Sequence, residues 1–317
     1  MSVSFYIKNK KKFFGYEKVM KVKEIIDLFK EYKLSFYNID FYTNDSNGEK
    51  FYNTSIENWQ ENHSCILFGV EGKSARGFEL SYNITKSSYV IREFTPASEN
   101  DWIIVLEFMK VLSEKLNTKI VSEQRDIFTS ETISIFDYKS DIRSGIKVIL
   151  DLLNKENEKG FNVDNIYGIK RPVSFNKEII ERIINSSDEI KEFSKFCEDI
   201  QYIDAYSAKQ SFVEDTITKE KWGYYVLTEN LRTVLPYKPN VELISMDYIK
   251  NEEVAFWKIF FCAYKVDENG EEGIDKIGES IYDDFIKKLP TDKYKFIDAS
   301  YIVVEPLNRD DIEKMLK

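Results

Sequence analysis

The chain has 317 residues, a formal net charge of −10 and a single histidine, His63. One histidine excludes a multi-histidine metal site and leaves any histidine-dependent triad a single side chain to work with. The acidic balance argues against bulk electrostatic binding of nucleic acid, which needs a concentrated positive footprint. Only 8 of the 45 basic residues are arginine, so each donor suited to bidentate recognition of phosphate or carboxylate is worth locating.

A 43% hydrophobic content is ample for a core, and the length fits two domains on a prior of about 150 residues each. Cys65, Cys197 and Cys262 are too sparse and too far apart for a disulfide framework or a zinc ribbon. The N-terminus turns charged at Lys8 with no apolar h-region, so no signal peptide is expected. No apolar run approaches the roughly 18 residues of a membrane span. These features together point to a soluble, cytosolic protein with no metal and no cofactor.

Alternation of Val3, Phe5 and Ile7 predicts an opening strand, followed by Lys10–Lys12, which reads as a solvated turn too short for a nucleic-acid tail. Val22, Ile25, Phe29 and Tyr32 fall at helical spacing and predict a helix over 21–33. A strand is predicted over 35–43, then an Asn47-Gly48 hairpin turn before Lys50 to Tyr52. Further strands are predicted over 65–70, 76–84 and 88–95. Ser98 with Asp101 forms a capping-box pattern ahead of the stripe Trp102, Val105, Leu106, Met109, Leu112 and Leu116. Ile120 and Val121 suggest a short strand, and Ile142, Ile146, Ile149 and Leu153 mark a helix over 140–159 that stops at Gly160.

A strand over 163–169 opens the second half. Asn176 caps a helix carrying Ile179, Ile180, Ile183 and Ile184, and Ser186-Ser187-Asp188-Glu189 caps another carrying Ile190, Phe193, Phe196, Cys197 and Ile200. Strands are predicted over 202–214, 222–235, 241–249 and 254–266, then an Asn269-Gly270 turn. A short helix with Ile281, Phe285 and Leu289, a strand over 295–305 and a capped helix from Asn308 complete the chain. Strands running together rather than alternating with helices favour an α+β fold with mixed or antiparallel sheets. The two halves read in the same order, which predicts two similar modules flanked by helices: 1–138, a linking helix 139–160, and 161–317.

Gly72-Lys73-Ser74 invites a phosphate-loop reading, but that pattern needs a glycine at Leu67, and a helix should follow where Arg76 to Tyr82 alternates like a strand. Arg76 and Arg92, placed almost opposite on the apolar face of a hairpin about Thr85, would repel each other unless an anion or acid lies between. One reading is an anion-binding site with Lys73 at its mouth; the other is a pair of arginines snorkelling at a sheet edge or bridged to Glu71, Glu79 or Glu93. His63 and Cys65 could form a dyad, but nothing supplies the rest of such a site, and a surface histidine beside a strand cysteine is the plainer reading. Cys197 and Cys262 fall among core residues. The acidic pairs Glu198-Asp199, Glu214-Asp215, Asp283-Asp284 and Asp310-Asp311 are adjacent in sequence, which does not set two carboxylates across a cleft. Trp222, Tyr224 and Trp257 belong to an aromatic-rich sheet that reads either as core or as a partner-binding face.

Gly72 to Tyr82, Tyr89-Val90-Ile91-Arg92, Thr95-Pro96 and Asp101-Trp102, together with the opening Ser4-Phe5-Tyr6-Ile7 and Tyr138 to Ile142, resemble a family of uncharacterised proteins from low-GC Gram-positive bacteria whose domain has no known function. The resemblance implies a bacterial cytosolic protein of this length and supplies no activity, cofactor or site residue. Two functions are therefore carried forward. One is a non-catalytic binding protein for a protein partner, a basic one included, or a small anion, with neither nucleic acid nor membrane as partner. The other is a hydrolase or transferase using carboxylates and arginine without histidine.

Overall fold

The computed structural model describes residues 1–37, 54–59, 65–157, 163–242, 245–246, 248–266 and 272–317. His63, the Asn47-Gly48 and Asn269-Gly270 turns, the helix stop at Gly160 and most of the strand expected over 35–43 lie outside the described residues. The chain divides into two compact units, Met1–Tyr202 and Ile203–Lys317. The α+β class expected from the sequence is what both units have. The helix expected to link two modules lies within the first unit.

The first unit is built on a seven-stranded sheet of order β2-β3-β4-β5-β1-β6-β7, antiparallel throughout. Its strands are β1 (Ser2–Lys8), β2 (Leu34–Phe36), β3 (Ile66–Val70), β4 (Phe78–Asn83), β5 (Ser88–Phe94), β6 (Ile120–Ser122) and β7 (Ile127–Phe128). The alternation that predicted these strands puts Phe5, Ile7, Phe68, Phe78, Leu80, Tyr89 and Ile91 in the core. The helix expected over 21–33 is shorter, α1 (Val22–Leu28), continued by a 3-10 turn at Lys30–Tyr32. A short helix α2 (Ile56–Trp59) precedes β3.

Helix α3 (Glu99–Leu116) lays its predicted stripe on this sheet, with Trp102, Val105, Met109 and Leu112 fully buried. Phe108 stacks on Phe29 at 4.4 Å and meets Phe78 at 4.7 Å, so α1, α3 and the sheet share one aromatic centre. Helices α4 (Tyr138–Asn157), α5 (Lys177–Ile184) and α6 (Glu189–Gln201) complete the unit, with the two-stranded pair β8 (Asp164–Ile166) and β9 (Val173–Phe175). Asn176 and Asp188 cap α5 and α6 as their positions predicted, accepting from the backbone N–H of Ile179 and Lys191.

The second unit has two four-stranded mixed sheets. One runs β10-β13-β17-β16 and the other β11-β12-β14-β15, with parallel pairs at β10–β13 and β12–β14. The strands are β10 (Tyr206–Ser207), β11 (Ser211–Glu214), β12 (Lys221–Thr228), β13 (Thr233–Pro236), β14 (Val254–Val266), β15 (Glu272–Ile281), β16 (Tyr294–Phe296) and β17 (Tyr301–Val304). Helices α7 (Tyr282–Lys288) and α8 (Arg309–Leu316) close a core in which Tyr225, Leu227, Ile259 and Phe261 meet Leu235, Ile302, Phe285 and Ile312. The two units are thus built differently, one on a purely antiparallel sheet and the other on two mixed ones.

Several strand expectations change. The strands expected over 202–214 and 222–235 each break in two, into β10 with β11 and β12 with β13, and the two parts enter different sheets. The described residues within 241–249 turn rather than extend: Ile249 N–H donates to Ser245 O at 3.0 Å and Ser245 N–H to Glu242 O at 2.8 Å. The strand expected over 295–305 breaks into β16 and β17, because Asp298 Oδ1 accepts from the N–H groups of Ser300 and Tyr301 and forces a turn. Strand β15 was not foreseen; it is a charged edge strand with a bulge where Phe261 and Cys262 pair with Gly278 and Lys276, which breaks its alternation.

Gly77 has φ +67, and a Cβ there would press into the carbonyl oxygen of Phe68 on the neighbouring strand. Gly77→Ala should lower the unfolding free energy by about 2–3 kcal/mol, read as a lower urea midpoint with an unchanged slope. Gly15→Ala, which also has positive φ but open space around the new Cβ, should cost less.

Candidate functional site

The β3–β4 loop contains the Gly72-Lys73-Ser74 sequence, and its amides are already occupied. The backbone N–H groups of Ala75 (3.2 Å), Arg76 (2.9 Å) and Gly77 (3.0 Å) all donate to the Asp101 carboxylate. Successive amides converging on one point form the kind of nest that holds an anion, and here the anion is the chain's own side chain. Ser98 adds its hydroxyl and its N–H to Asp101 Oδ2, at 3.0 and 3.3 Å. The Tyr202 hydroxyl donates to Ser74 O at 2.7 Å, and Ser74 Oγ accepts from Val70 N–H at 3.1 Å.

The three residues of the expected anion site differ in burial and in partners. Arg76 is only 7% exposed and lies ahead of β4 rather than in it. Its Nε donates to Tyr167 O and its Nη1 to Pro96 O, both at 2.7 Å. Arg92 is exposed, and the register places it opposite Glu79, not Arg76. It binds the Glu79 carboxylate at 2.7 Å and donates to Ser2 Oγ at 2.9 Å. Both guanidinium groups nevertheless lie over the Phe94 ring, at 4.6 and 5.6 Å from its centroid. Lys73 is on the exposed turn. The face shared by Val90, Arg92 and Phe94 is the outer one; Tyr89, Ile91 and Glu93 face the core.

Glu93 escaped the sequence reading, although its parity with Tyr89 and Ile91 was there to be seen. It is fully buried, and neither carboxyl oxygen has a side-chain hydrogen-bond partner among the described residues. Burial pushes its pKa well above the ordinary carboxylate range, the charge of Asp101 pushes the same way, and Arg76 offsets part of the rise. Asp141 is raised to about 6 by burial, against the Thr95 hydroxyl that donates to both its oxygens at 3.0 and 3.1 Å. Burial also raises Glu198, whose Oε1 accepts from Asn100 Nδ2 at 3.0 Å. None of the three cysteines is in a disulfide, and Cys197 and Cys262 are buried as expected.

In the second unit the parallel register pairs Gly223 with Trp257. Trp257 therefore lies over Gly223 on the core side, against Tyr225 and Phe212. The expected partner face of Trp222, Tyr224 and Trp257 loses Trp257 for that reason. Trp222 and Tyr224 stay on the opposite, outward side of the sheet, joined by Phe256 and Phe260. Trp222 stacks on Phe256 with centroids 5.8 Å apart, and Tyr224 meets Phe260 at 4.9 Å. All four are half-exposed. Lys258 Nζ sits 5.1 Å over Trp222, and Lys276 Nζ sits 4.6 Å over Phe260. Both lysines pair with Glu279, Lys258 at 2.6 Å. Tyr264, Ile274 and Ile281 extend the apolar surface towards the β15 edge. Among the described residues no group of three or more His, Cys, Asp or Glu is placed to hold a metal ion, and no helix is long and apolar enough to cross a membrane.

The family described as a domain of unknown function, DUF4299, matches residues 2–315, and the chain belongs to it. Comparison with proteins of curated function and with solved structures gives no match.

Because its folded-state pKa is raised, Glu93 stabilises least once pH has risen above the ordinary carboxylate range: the unfolded chain ionises there while the folded chain stays protonated. Glu93→Gln keeps the shape without that penalty. Urea unfolding at a series of pH values should show the variant more stable than the parent at neutral pH, with the gap closing as pH falls into the ordinary carboxylate range. Parallel curves would rule this account out.

Proposed function

We propose that this DUF4299 chain is a non-catalytic interaction protein of the bacterial cytoplasm, with the outward face of the β11-β12-β14-β15 sheet as its docking surface. The observation that carries the reading is the set of four half-buried aromatic rings, Trp222, Tyr224, Phe256 and Phe260, on the outward side of one sheet. Aromatic residues concentrate where proteins bury surface on one another, and rings held in place by strands lose little entropy on binding.

The surroundings point to a protein partner with basic residues at its contact rim. At the sheet end where Trp222 and Phe256 stack, Glu214, Asp215, Glu220, Glu252 and Glu253 are exposed, against Lys219, Lys221 and Lys250. Lys219 and Lys221 pair with Glu214 and Glu253, at 3.3 and 2.7 Å, and five acids against three lysines leave an acidic surplus for a partner to meet. Glu279 balances Lys258 and Lys276 on the face itself. The same surplus of acid speaks against nucleic acid as the partner.

The small-anion reading has less support, because Arg76 is engaged by carbonyl groups, the loop amides by Asp101 and Arg92 by Glu79. Raised carboxylates are a mark of acid–base sites, but Glu93, which burial holds above the ordinary carboxylate range, has no exposed surface with which to meet a substrate.

A photo-crosslinking residue at Phe256, with one at the exposed Ile135 of the first unit as control, would covalently mark what docks on the face. The protein marked at 256 and not at 135 is then purified and titrated against the parent chain and against Trp222→Ser with Phe256→Ser. Roughly thirtyfold weaker binding by the variant is expected for two central anchors. Equal affinities at equal thermal stability would overturn the assignment.

A further inference from the structure

The β1–α1 connection has the sequence Asn9-Lys10-Lys11-Lys12-Phe13-Phe14-Gly15-Tyr16-Glu17 and folds into a tight finger. Lys12 N–H donates to Gly15 O at 3.0 Å, Glu17 N–H to Lys10 O at 2.8 Å, and Lys11 bridges to Tyr16. Gly15 takes φ +76, which closes the tip without strain. The root is pinned by Asn9, which is buried: its N–H donates to Ser87 O at 2.8 Å, and its side-chain amide donates to Glu17 O at 2.7 Å and to the Tyr82 hydroxyl at 3.3 Å. Behind the finger Val19 is buried and Met20 N–H donates to the Tyr89 hydroxyl at 2.8 Å.

This built turn holds two phenylalanines in the open. Phe13 is 94% exposed and Phe14 85%, edge to face with each other at 4.8 Å. Burying each would be worth a large apolar gain, yet the chain holds them out on a hydrogen-bonded turn. Lys10, Lys11, Lys12 and Lys18 are exposed around them. The Glu17 carboxylate, the acid inside the finger, is met by Lys10 at 3.7 Å.

The same end of the sheet adds to both features. Asn9 joins the finger to the β4–β5 turn, which exposes Ile84 (68%) and Lys86. Thr118 Oγ1 donates to Lys8 O at 2.9 Å and brings the C-terminal end of α3 alongside, with Lys115 and Lys119 exposed. Aromatic tips set among lysines are suited to the boundary of an anionic bilayer, where rings enter the headgroup region and ammonium groups stay at the charged surface.

We propose that this end of the first unit is a docking surface for an anionic lipid membrane, with Phe13 and Phe14 as the inserting tip and the surrounding lysines as the electrostatic anchor. The sequence expectation of no membrane partner rested on the missing apolar span, and a finger that lies in the interface needs no span. The inference draws on none of the second-unit residues.

The test is co-sedimentation of the full chain with vesicles of phosphatidylcholine alone or of phosphatidylcholine with phosphatidylglycerol. Binding is expected only to the phosphatidylglycerol vesicles and should weaken as salt rises. Lys11→Gln and Lys12→Gln should each lower the partition constant about fivefold, and Phe13→Ser with Phe14→Ser should abolish detectable binding. All these residues are exposed, so thermal unfolding should be unchanged and serves as the check on folding. A tryptophan introduced as Phe13→Trp should be quenched by brominated acyl chains when vesicles are added. Absence of binding to the phosphatidylglycerol vesicles, binding that the serine variant retains, or an unquenched Trp at 13 would each overturn the proposal. A preference for double-stranded DNA over the vesicles would do the same and assign the lysines to nucleic acid.

Discussion

The Asp101 carboxylate is the point on which the first unit turns. It sits at the third position of α3, almost wholly buried, and accepts from Ala75, Arg76, Gly77 and both groups of Ser98. A buried carboxylate without donors would cost several kcal/mol; with five charge-assisted bonds it instead becomes a strong tie. The tie joins three things: the start of α3, the loop after β3, and, through Arg76, the carbonyl groups of Pro96 and Tyr167. Ala75 O in turn accepts from Ile169 N–H at 2.8 Å, and Tyr202 holds Ser74 O. One side chain therefore sets the geometry of segments far apart in sequence. The Gly72-Lys73-Ser74 loop is a structural socket already filled from within.

The sequence was most legible where one physical rule acted alone. Ser98 and Asp101 announced the start of α3, Asn176 and Asp188 those of α5 and α6, and alternation gave β1, β4 and β5, because caps and pleats are local. Legibility failed where a partner distant in sequence decides. A hairpin register centred on Thr85 would face Arg76 towards Arg92, whereas pairing of Asn83 with Ser88 moves Glu79 opposite Arg92 and leaves Arg76 outside the strand. A small shift at the turn therefore changed a pair of like charges into an ion pair. Trp257 shows the same effect: only the parallel register to β12, invisible in sequence, decides that it covers Gly223 rather than joining Trp222. Strand β15 hid because an exposed, bulged, charged edge has no apolar period to show.

The candidate surfaces share a physical logic with the core beneath them. On the outward face of the β11-β12-β14-β15 sheet, aromatic rings are partly shielded by lysines whose stems cover apolar area while Glu279 balances their charge. That arrangement keeps a large apolar face compatible with water until something displaces the side chains above it. Among the described residues the rings of Phe13 and Phe14 contact only each other, and their exposure is maintained by a buried asparagine rather than relieved by a fold-back of the loop.

Buried polar side chains at the roots of turns carry much of this organisation. Asn9 holds the finger, Gln201 holds the turn at Lys170 and Arg171 by accepting from both N–H groups and donating to Arg171 O, and Asp101 holds the loop after β3. Each gives up hydration in exchange for bonds to backbone groups that would otherwise be orphaned, so the cost of burial is offset locally. Glu93 departs from that pattern. It takes a core position between Val3 and Phe78 on the neighbouring strands, where Phe or Ile would fit the alternation. Its carboxyl is held neutral by burial rather than bonded, with the Arg76 charge as a partial counterweight. Neutralisation avoids the far larger cost of a buried charge but still forfeits the hydrogen bonds that water would supply. The position therefore lowers stability on the central strand of the seven-stranded sheet, where packing alone gives no reason for an acid.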